Sequence, residues 1–411
     1  MNSYNYIDLF SGAGGLSEGF VRQGFSPVAH VEHDQACCFT LKTRTAYHYL
    51  SGVNRLEPYY SYLRGEISRE KLYSEVPQDI LTSIICAEIG KDNERIFNII
   101  DTILGQGNVD LVIGGPPCQA YSVTGRAALK HKTDDERTTL YIQYGRFLKR
   151  YKPKIFIFES VPGIFTAGDG RYFSNLQKYF RRLGYRVEAK LLNAYDYGVI
   201  QNRERVIIIG WRKQLQLSYP EIETASNRNF RDDIFSDLPS IQSGENARYH
   251  YYSRPVNQYL ESTAIRNGLN FVTQHVTRSH NDKDLQIYRL AIERLTNGER
   301  LKNSQVPEDM RTQQNVTDFV DRFKVVGRIP HTMIAHIAKD GHHYIHPDIT
   351  QLRSISVREA ARIQSFPDDF YFEGVKEYQP RTAAFKQIGN AVPALMAEKI
   401  AKKVRELLDG S

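Results

Sequence analysis

Short apolar runs alternate with amphipathic stretches through the first half of this 411-residue chain. An apolar run at 5–10, helical spacing from Gly14 to Gln23, a second strand ending at Glu32 and a helix through Leu41 predict a βαβ opening. Further runs at 83–88 (SIICAE), 109–115 (VDLVIGG), 154–160 (KIFIFES) and 205–211 (RVIIIGW) are largely apolar, as strands buried on both faces must be. Helical spacing falls near 92–105, 137–151 and 170–183, between those runs. Strand and helix alternating in this way predict an α/β fold, doubly wound around an open, mostly parallel sheet.

Two stretches break the alternation. Residues 47–78 are polar, rich in tyrosine and charge, and read as an elaboration between the second and third strands, with no function assigned. From about 213 to 350 the βα regularity is lost and Gly, Asn, Arg and His mix without period, which predicts a second, smaller lobe. Regular patterning returns at Arg358. The expected division is 1–212 as the first part of the larger domain, 213–350 as the inserted lobe, and 351–411 as a segment returning to the first.

No window approaches 18 uninterrupted apolar residues, and the opening MNSYNYIDLF has no basic leader followed by an apolar run. A soluble cytoplasmic protein with no membrane partner is expected. Four cysteines, none at CxxC spacing, fit neither a disulfide framework nor a zinc site, so no metal is expected. A net charge of +7 points to a polyanionic partner.

DLFSGAGGLSEGF (8–20) places Gly12, Gly14 and Gly15 directly after the first strand, where a tight turn lets backbone approach a ligand. Ser17 stands where the last glycine of GxGxxG would be, so a dinucleotide fingerprint is a poor match and another adenosine cofactor fits better. Glu32 closes the next strand, where a carboxylate can accept from ribose hydroxyls. Taken alone, the cluster fits a plain strand-to-helix turn with a surface Glu32 equally well.

In GGPPCQAYS (114–122) a buried strand runs into a stiff Pro-Pro loop, which puts Cys118 at the carboxyl end of a parallel strand, where ligand crevices form. KIFIFES delivers Glu159 to the same edge, and QNRERV (201–206) supplies Gln201, Arg203 and Arg205 just before another strand. Singly, the cysteine reads as a small core residue, the glutamate as a surface carboxylate and the arginines as a solvated pair. Their convergence on one rim favours chemistry.

These blocks, with REAARIQSFPDDF (358–370) and QIGNAVP (387–393), resemble in their order the DNA cytosine-C5 methyltransferase family over nearly the whole chain. Two positions depart from the family's pattern: Ser160 stands where Asn is usual, and Glu88 where an Asp is usual. The resemblance implies a Rossmann-like fold binding S-adenosyl-L-methionine, with S-adenosyl-L-homocysteine as product and no metal. It assigns the cofactor to Phe10, Ser11, Gly12, Gly14, Leu16, Glu32, His33, Glu88, Pro116, Asn390 and Ala391.

It further implies that Cys118 adds to cytosine C6, in a pocket electropositive enough to favour its thiolate. Glu159 serves N3, and Arg205 with Arg203 holds O2. A base in a duplex must be flipped out to meet them, with 122–136 as a lid touching phosphates through Arg126, Lys130 and Lys132. The lobe at 213–350 becomes a target-recognition domain, with Arg254, Arg278, His280 and Arg328 as candidate contacts. The implied partner is double-stranded DNA, met by a monomer at the bacterial nucleoid, with room for a separately encoded restriction endonuclease. A tRNA cytosine-C5 methyltransferase and a catalytically silent DNA-binding scaffold are the competing readings; a nicotinamide or flavin oxidoreductase fits less well.

Overall fold

The computed structural model describes residues 3–117, 140–226, 229–311, 321–339, 341–378 and 380–410. Its centre is a seven-stranded sheet in the order β3-β2-β1-β4-β5-β7-β6. The strands are β1 (Asn5–Leu9), β2 (Ser26–Glu32), β3 (Ile84–Cys86), β4 (Leu111–Gly114), β5 (Ile155–Ser160), β6 (Tyr185–Asn193) and β7 (Glu204–Arg212). The first five run parallel, and β7 runs antiparallel to both of its neighbours. The helices are α1 (Gly15–Arg22), α2 (Gln35–Gly52), α3 (Glu57–Arg64), α4 (Arg69–Ser74), α5 (Gln78–Thr82), α6 (Asn93–Leu104), α7 (Leu140–Tyr151) and α8 (Arg171–Arg182). Among the described residues, no helix is long and apolar enough to cross a membrane.

Strand β6 had no counterpart among the apolar runs. Along it Tyr185 and Val187 are buried while Arg186 and Glu188 are exposed, because it is an edge strand with only one neighbour. One side of the sheet is covered by a core that includes Phe20, Ile113, Ile157, Trp211, Met396 and Ile400; the other by one that includes Ile7, Val112, Phe147, Phe156 and Phe180.

Beyond residue 212 the chain forms α9 (Arg231–Phe235), β8 (Tyr249–Tyr251), α10 (Gln258–Ser262), β9 (Phe271–Thr273), α11 (Asp282–Thr296), α12 (Val357–Ile363), α13 (Arg381–Asn390) and α14 (Ala394–Asp409). The α1 and α14 backbones nearly touch: a side-chain carbon at Gly19 would lie 2.3 Å from the Glu398 nitrogen, so only glycine fits. Residues Tyr219, Ile234, Leu260, Val326 and Tyr344 share the core that covers the first side of the sheet. A smaller apolar cluster gathers Ile287, Tyr288, Ile292, Phe323 and Ile345.

The tyrosine-rich stretch at 47–78 is helical, and α2 continues past Leu41 to Gly52. Its tyrosines are core residues: Tyr59, Tyr62, Leu63 and Leu72 are fully buried against Phe271 and Tyr371. Tyrosine can do this because its ring is apolar while its hydroxyl finds an acceptor. The Tyr62 hydroxyl donates to Glu373 at 2.6 Å, as does Thr43 at 2.7 Å.

Burial pushes the Glu373 carboxyl up to about 7 despite lowering by Tyr62, Thr43 and Arg69. A carboxyl raised in the folded state adds stability below its unfolded value near 4.5, and that stability is lost as pH rises through about 7. Glu373→Gln is therefore expected to flatten the fall in stability over that window, by at most roughly 3 kcal/mol. Urea midpoints at about pH 5 and about pH 8 check this: the wild type should lose more stability between them than the variant.

Candidate active site

The chain leaves β1 through a turn in which Phe10, Gly12 and Gly14 all have positive φ, at 56°, 55° and 84°. Gly12 faces open space, with nothing within 4 Å of where a side-chain carbon would stand. Behind the turn the fit is tight: at Gly15 that carbon would lie 2.3 Å from the Val392 carbonyl oxygen and 3.3 Å from the Ala391 Cβ. The QIGNAVP block thus abuts the glycine-rich turn, with Ala391 buried and Asn390 exposed at the end of α13. The Ser11 hydroxyl donates to the Asp8 carbonyl at 2.9 Å, and Leu16 is a core residue that seats α1.

Glu32 sits at the carboxyl end of β2 beside this turn. Its Oε2 accepts the Gly12 N–H at 2.8 Å, and its Oε1 accepts the His33 and Asp34 N–H groups, each at 2.8 Å. His33 Nδ1 lies 3.0 Å from the same Oε1. Burial alone would raise this carboxyl, but the bonds from His33, Asp34 and Gly12 outweigh it and hold Glu32 below the ordinary range. His33 is raised in turn, chiefly by its bond to Glu32. Glu88 is exposed just past β3, its N–H donating to Asp92 at 2.8 Å. Pro116 is buried just past β4.

One carboxyl was not anticipated. Asp8 is 1% exposed, and its Oδ2 has no hydrogen-bond partner among the described residues. Burial first, then the charge of Glu32, pushes it well above the usual carboxylate range. The sequence signal was an acid inside the apolar run YIDLF.

At the centre of the sheet edge, Glu159 on β5 and Arg205 on β7 form an ion pair, Nε to Oε1 at 2.8 Å, with side chains 8% and 12% exposed. The register produces it: Glu159 is paired with Ile207, so Arg205 is its diagonal neighbour on the same face. Gly115 lets the carboxylate come close, since a side-chain carbon there would stand 2.6 Å from Glu159 Oε2. Ser160 is buried at the end of β5. Cys118 and the 122–136 loop, with Arg126, Lys130 and Lys132, lie outside the described residues. The chain enters that segment three residues after the glycine that touches Glu159.

Arg203, also expected at the base, makes its described hydrogen bonds inside the fold. Its side chain is fully buried, donating to the carbonyls of Met333 at 2.6 Å, Gly389 at 3.1 Å and Ala391 at 3.0 Å. Gln201 is buried beside it, donating to Gln364 Oε1 at 2.9 Å and accepting the Met333 N–H at 2.8 Å. Both precede β7 and face the joints of the fold.

Of the candidate DNA contacts, Arg254 and Arg278 are exposed, the latter donating to the Lys339 carbonyl at 2.6 Å. Arg328 lies 3.5 Å over the Phe230 ring. His280 is half-buried, with Nε2 3.0 Å from the Ser354 hydroxyl, a partner that fits a structural position. A cleft of about 600 Å³ walled in part by Arg231, Phe235, Arg254, His346 and Arg353 includes none of the catalytic or cofactor candidates. Among the described residues no group of three or more His, Cys, Asp or Glu could hold a metal.

The seven-stranded sheet, with its glycine-rich turn after β1, is a Rossmann-like methyltransferase fold. The chain belongs to the C-5 cytosine-specific DNA methylase family, whose profile matches residues 4–57 and 73–406. The gap between the matched segments covers most of α3 and the start of α4. The Type II methyltransferase M.Bpa9945I of Bacillus paralicheniformis is 39% identical, covering 98% of this chain and 99% of the relative. The Type II methyltransferase M1.HphI of Haemophilus parahaemolyticus is 30% identical, covering 98% and 87%. A crystal structure described as a DNA modification methyltransferase encoded within an E. coli prophage superposes with a TM-score of 0.64 at 23% identity, over 99% of this chain and all of that one, a likeness of fold.

Proposed function

We propose that this enzyme uses S-adenosyl-L-methionine to methylate C5 of a cytosine flipped out of double-stranded DNA, through transient addition of Cys118 to C6. The observation that carries the reading is the Glu159–Arg205 pair at 2.8 Å, held against Gly115 just before the cysteine loop. A ring that accepts a nucleophile at C6 builds up charge at N3 and O2, and a carboxyl beside a guanidinium meets both.

The residues at the turn fit the cofactor. Gly12 leaves room for a ligand against the backbone, and Glu32, fixed by three backbone N–H groups and the His33 ring, keeps a lone pair on Oε2 for a ribose hydroxyl. Phe10, Ser11, Gly12 and Gly14 would hold the cofactor with Glu32, His33, Glu88, Pro116, Asn390 and Ala391; Leu16 supports the turn from the core. When bound, the cofactor supplies an electrophilic methyl group on a cationic sulfur.

Cys118 forms the Sγ–C6 bond, and the displaced electron pair makes C5 nucleophilic while Glu159 hydrogen-bonds N3 and Arg205 holds O2. Once C5 carries the methyl group, loss of its proton to a base re-forms the C5–C6 double bond and breaks the Sγ–C6 bond, releasing Cys118 as its thiolate. Residues 213–350 serve as the target-recognition domain between catalytic segments 1–212 and 351–411. Arg254, Arg278 and Arg328 are its candidate phosphate or base contacts. Its relatives are named Type II methyltransferases of bacteria, which supports a role as the modification enzyme of a restriction-modification system.

Bisulfite sequencing of DNA from cells expressing the chain tests this. Protected cytosines at one fixed sequence are expected, and DNA without them would overturn the reading.

A further inference from the structure

Arg203 occupies a joint that the proposed chemistry does not use. Its guanidinium meets the Gly389 and Ala391 carbonyls of the block beside the glycine-rich turn, and the Met333 carbonyl of the 329–335 segment. Gln364 tightens the first side, donating to the Ile388 carbonyl at 2.7 Å. The second side is stiffened by Tyr344, whose hydroxyl donates to the Thr332 carbonyl at 2.8 Å and accepts the Ile334 N–H at 3.2 Å. The two segments also touch directly, since a side-chain carbon at Gly389 would lie 2.3 Å from the Ile334 carbonyl carbon. Yet the 329–335 segment reaches the surface, with Ile334 46% exposed.

We propose that Arg203 is a positioning residue that couples cofactor binding to DNA binding, by tying the 389–391 block and the 329–335 segment to one rigid guanidinium. The inference rests on the function proposed above, in which Asn390 and Ala391 line the cofactor pocket and 213–350 meets DNA. A planar fork fixes several acceptors relative to one another, so a shift of one segment is felt by the other. Ligand at either side orders both, and the second ligand then meets an already ordered joint. Lysine keeps the charge but, as a single point donor, cannot span the three carbonyls.

The test measures dissociation constants for S-adenosyl-L-homocysteine by calorimetry, with and without a duplex carrying the sequence found by bisulfite mapping. In the wild type the duplex is expected to tighten binding about tenfold, and in Arg203→Lys by no more than about twofold. A variant that is merely less folded weakens both constants alike, and the ratio cancels that effect. An Arg203→Lys ratio equal to the wild-type ratio therefore overturns the proposal, as does a wild type with no coupling at all. Hydrogen exchange of the wild type gives a second reading that needs no variant: the homocysteine product alone should slow amide exchange across 331–338, and unchanged exchange there also overturns the proposal. A wild type that fails to bind the product in either state sinks the functional reading instead, and the coupling with it.

Discussion

Glu159→Gln is expected to lower the rate of methyl transfer by about a hundred- to ten-thousand-fold, and Arg205→Ala by about a hundred- to a thousand-fold. Both act on charge that appears only when C6 is attacked, so the loss should fall on kcat and leave cofactor affinity near the wild-type value. The 2.8 Å contact between the two groups makes a stronger claim. If they work as one unit, the double variant loses little more than the worse single one, because either deletion already spoils the other's geometry. Single-turnover transfer of labelled methyl groups into duplex DNA measures all three. Additive losses would mean that the pair is not a unit, and a Glu159→Gln enzyme within about threefold of wild type would remove the carboxyl from the mechanism. Cys118→Ser sets the floor, since a hydroxyl in place of the thiol is a far weaker nucleophile at neutral pH.

The distinction between Arg203 and Arg205 shows where sequence stops informing. The two residues share a motif and a side chain, and nothing in QNRERV separates an arginine that pairs with Glu159 from one that binds carbonyls. Register separates them. Arg205 lies within β7, diagonal to Glu159, whereas Arg203 precedes the strand and turns toward the carbonyls of 333, 389 and 391. The parallel strands were legible because burial on both faces leaves an uninterrupted apolar run. Strand β6 was not, since an edge position lets every second residue be charged. The helices at 57–74 were hidden by their tyrosines, which look polar in a composition and behave as core once the hydroxyl has an acceptor. Asp8 was visible as an oddity in YIDLF, but only the fold shows that its Oδ2 has no hydrogen-bond partner among the described residues.

The REAARIQSFPDDF block carries a different load from the catalytic residues, and its effect should appear in stability. Arg362 is fully buried, bonded to Asp237 at 2.5 Å, Asp368 at 2.6 Å and the Ile234 carbonyl at 2.7 Å. Arg358 sits beside it, fully buried, donating to the Thr273, Pro367 and Phe370 carbonyls. These bonds join α12 to α9 and β9, and so join the last segment of the chain to the 213–350 region. Removing one partner of a buried pair leaves a charge with neither water nor counter-ion, which costs roughly 3–5 kcal/mol. Asp368→Ala is expected to lose about that much by urea unfolding, because the fully buried Arg358 then loses the carboxylate 3.9 Å from it, while Arg362 keeps Asp237. Removing the cation with Asp237 alone, as Arg362→Leu with Asp237→Asn, should cost much less, because Asp368 then keeps the buried Arg358, 3.9 Å away, as its counter-ion. A single variant as stable as wild type would show that Asp237 alone balances the two arginines, and a double variant no more stable than the single one would make the network's geometry, and not its charge balance, what holds the two regions together.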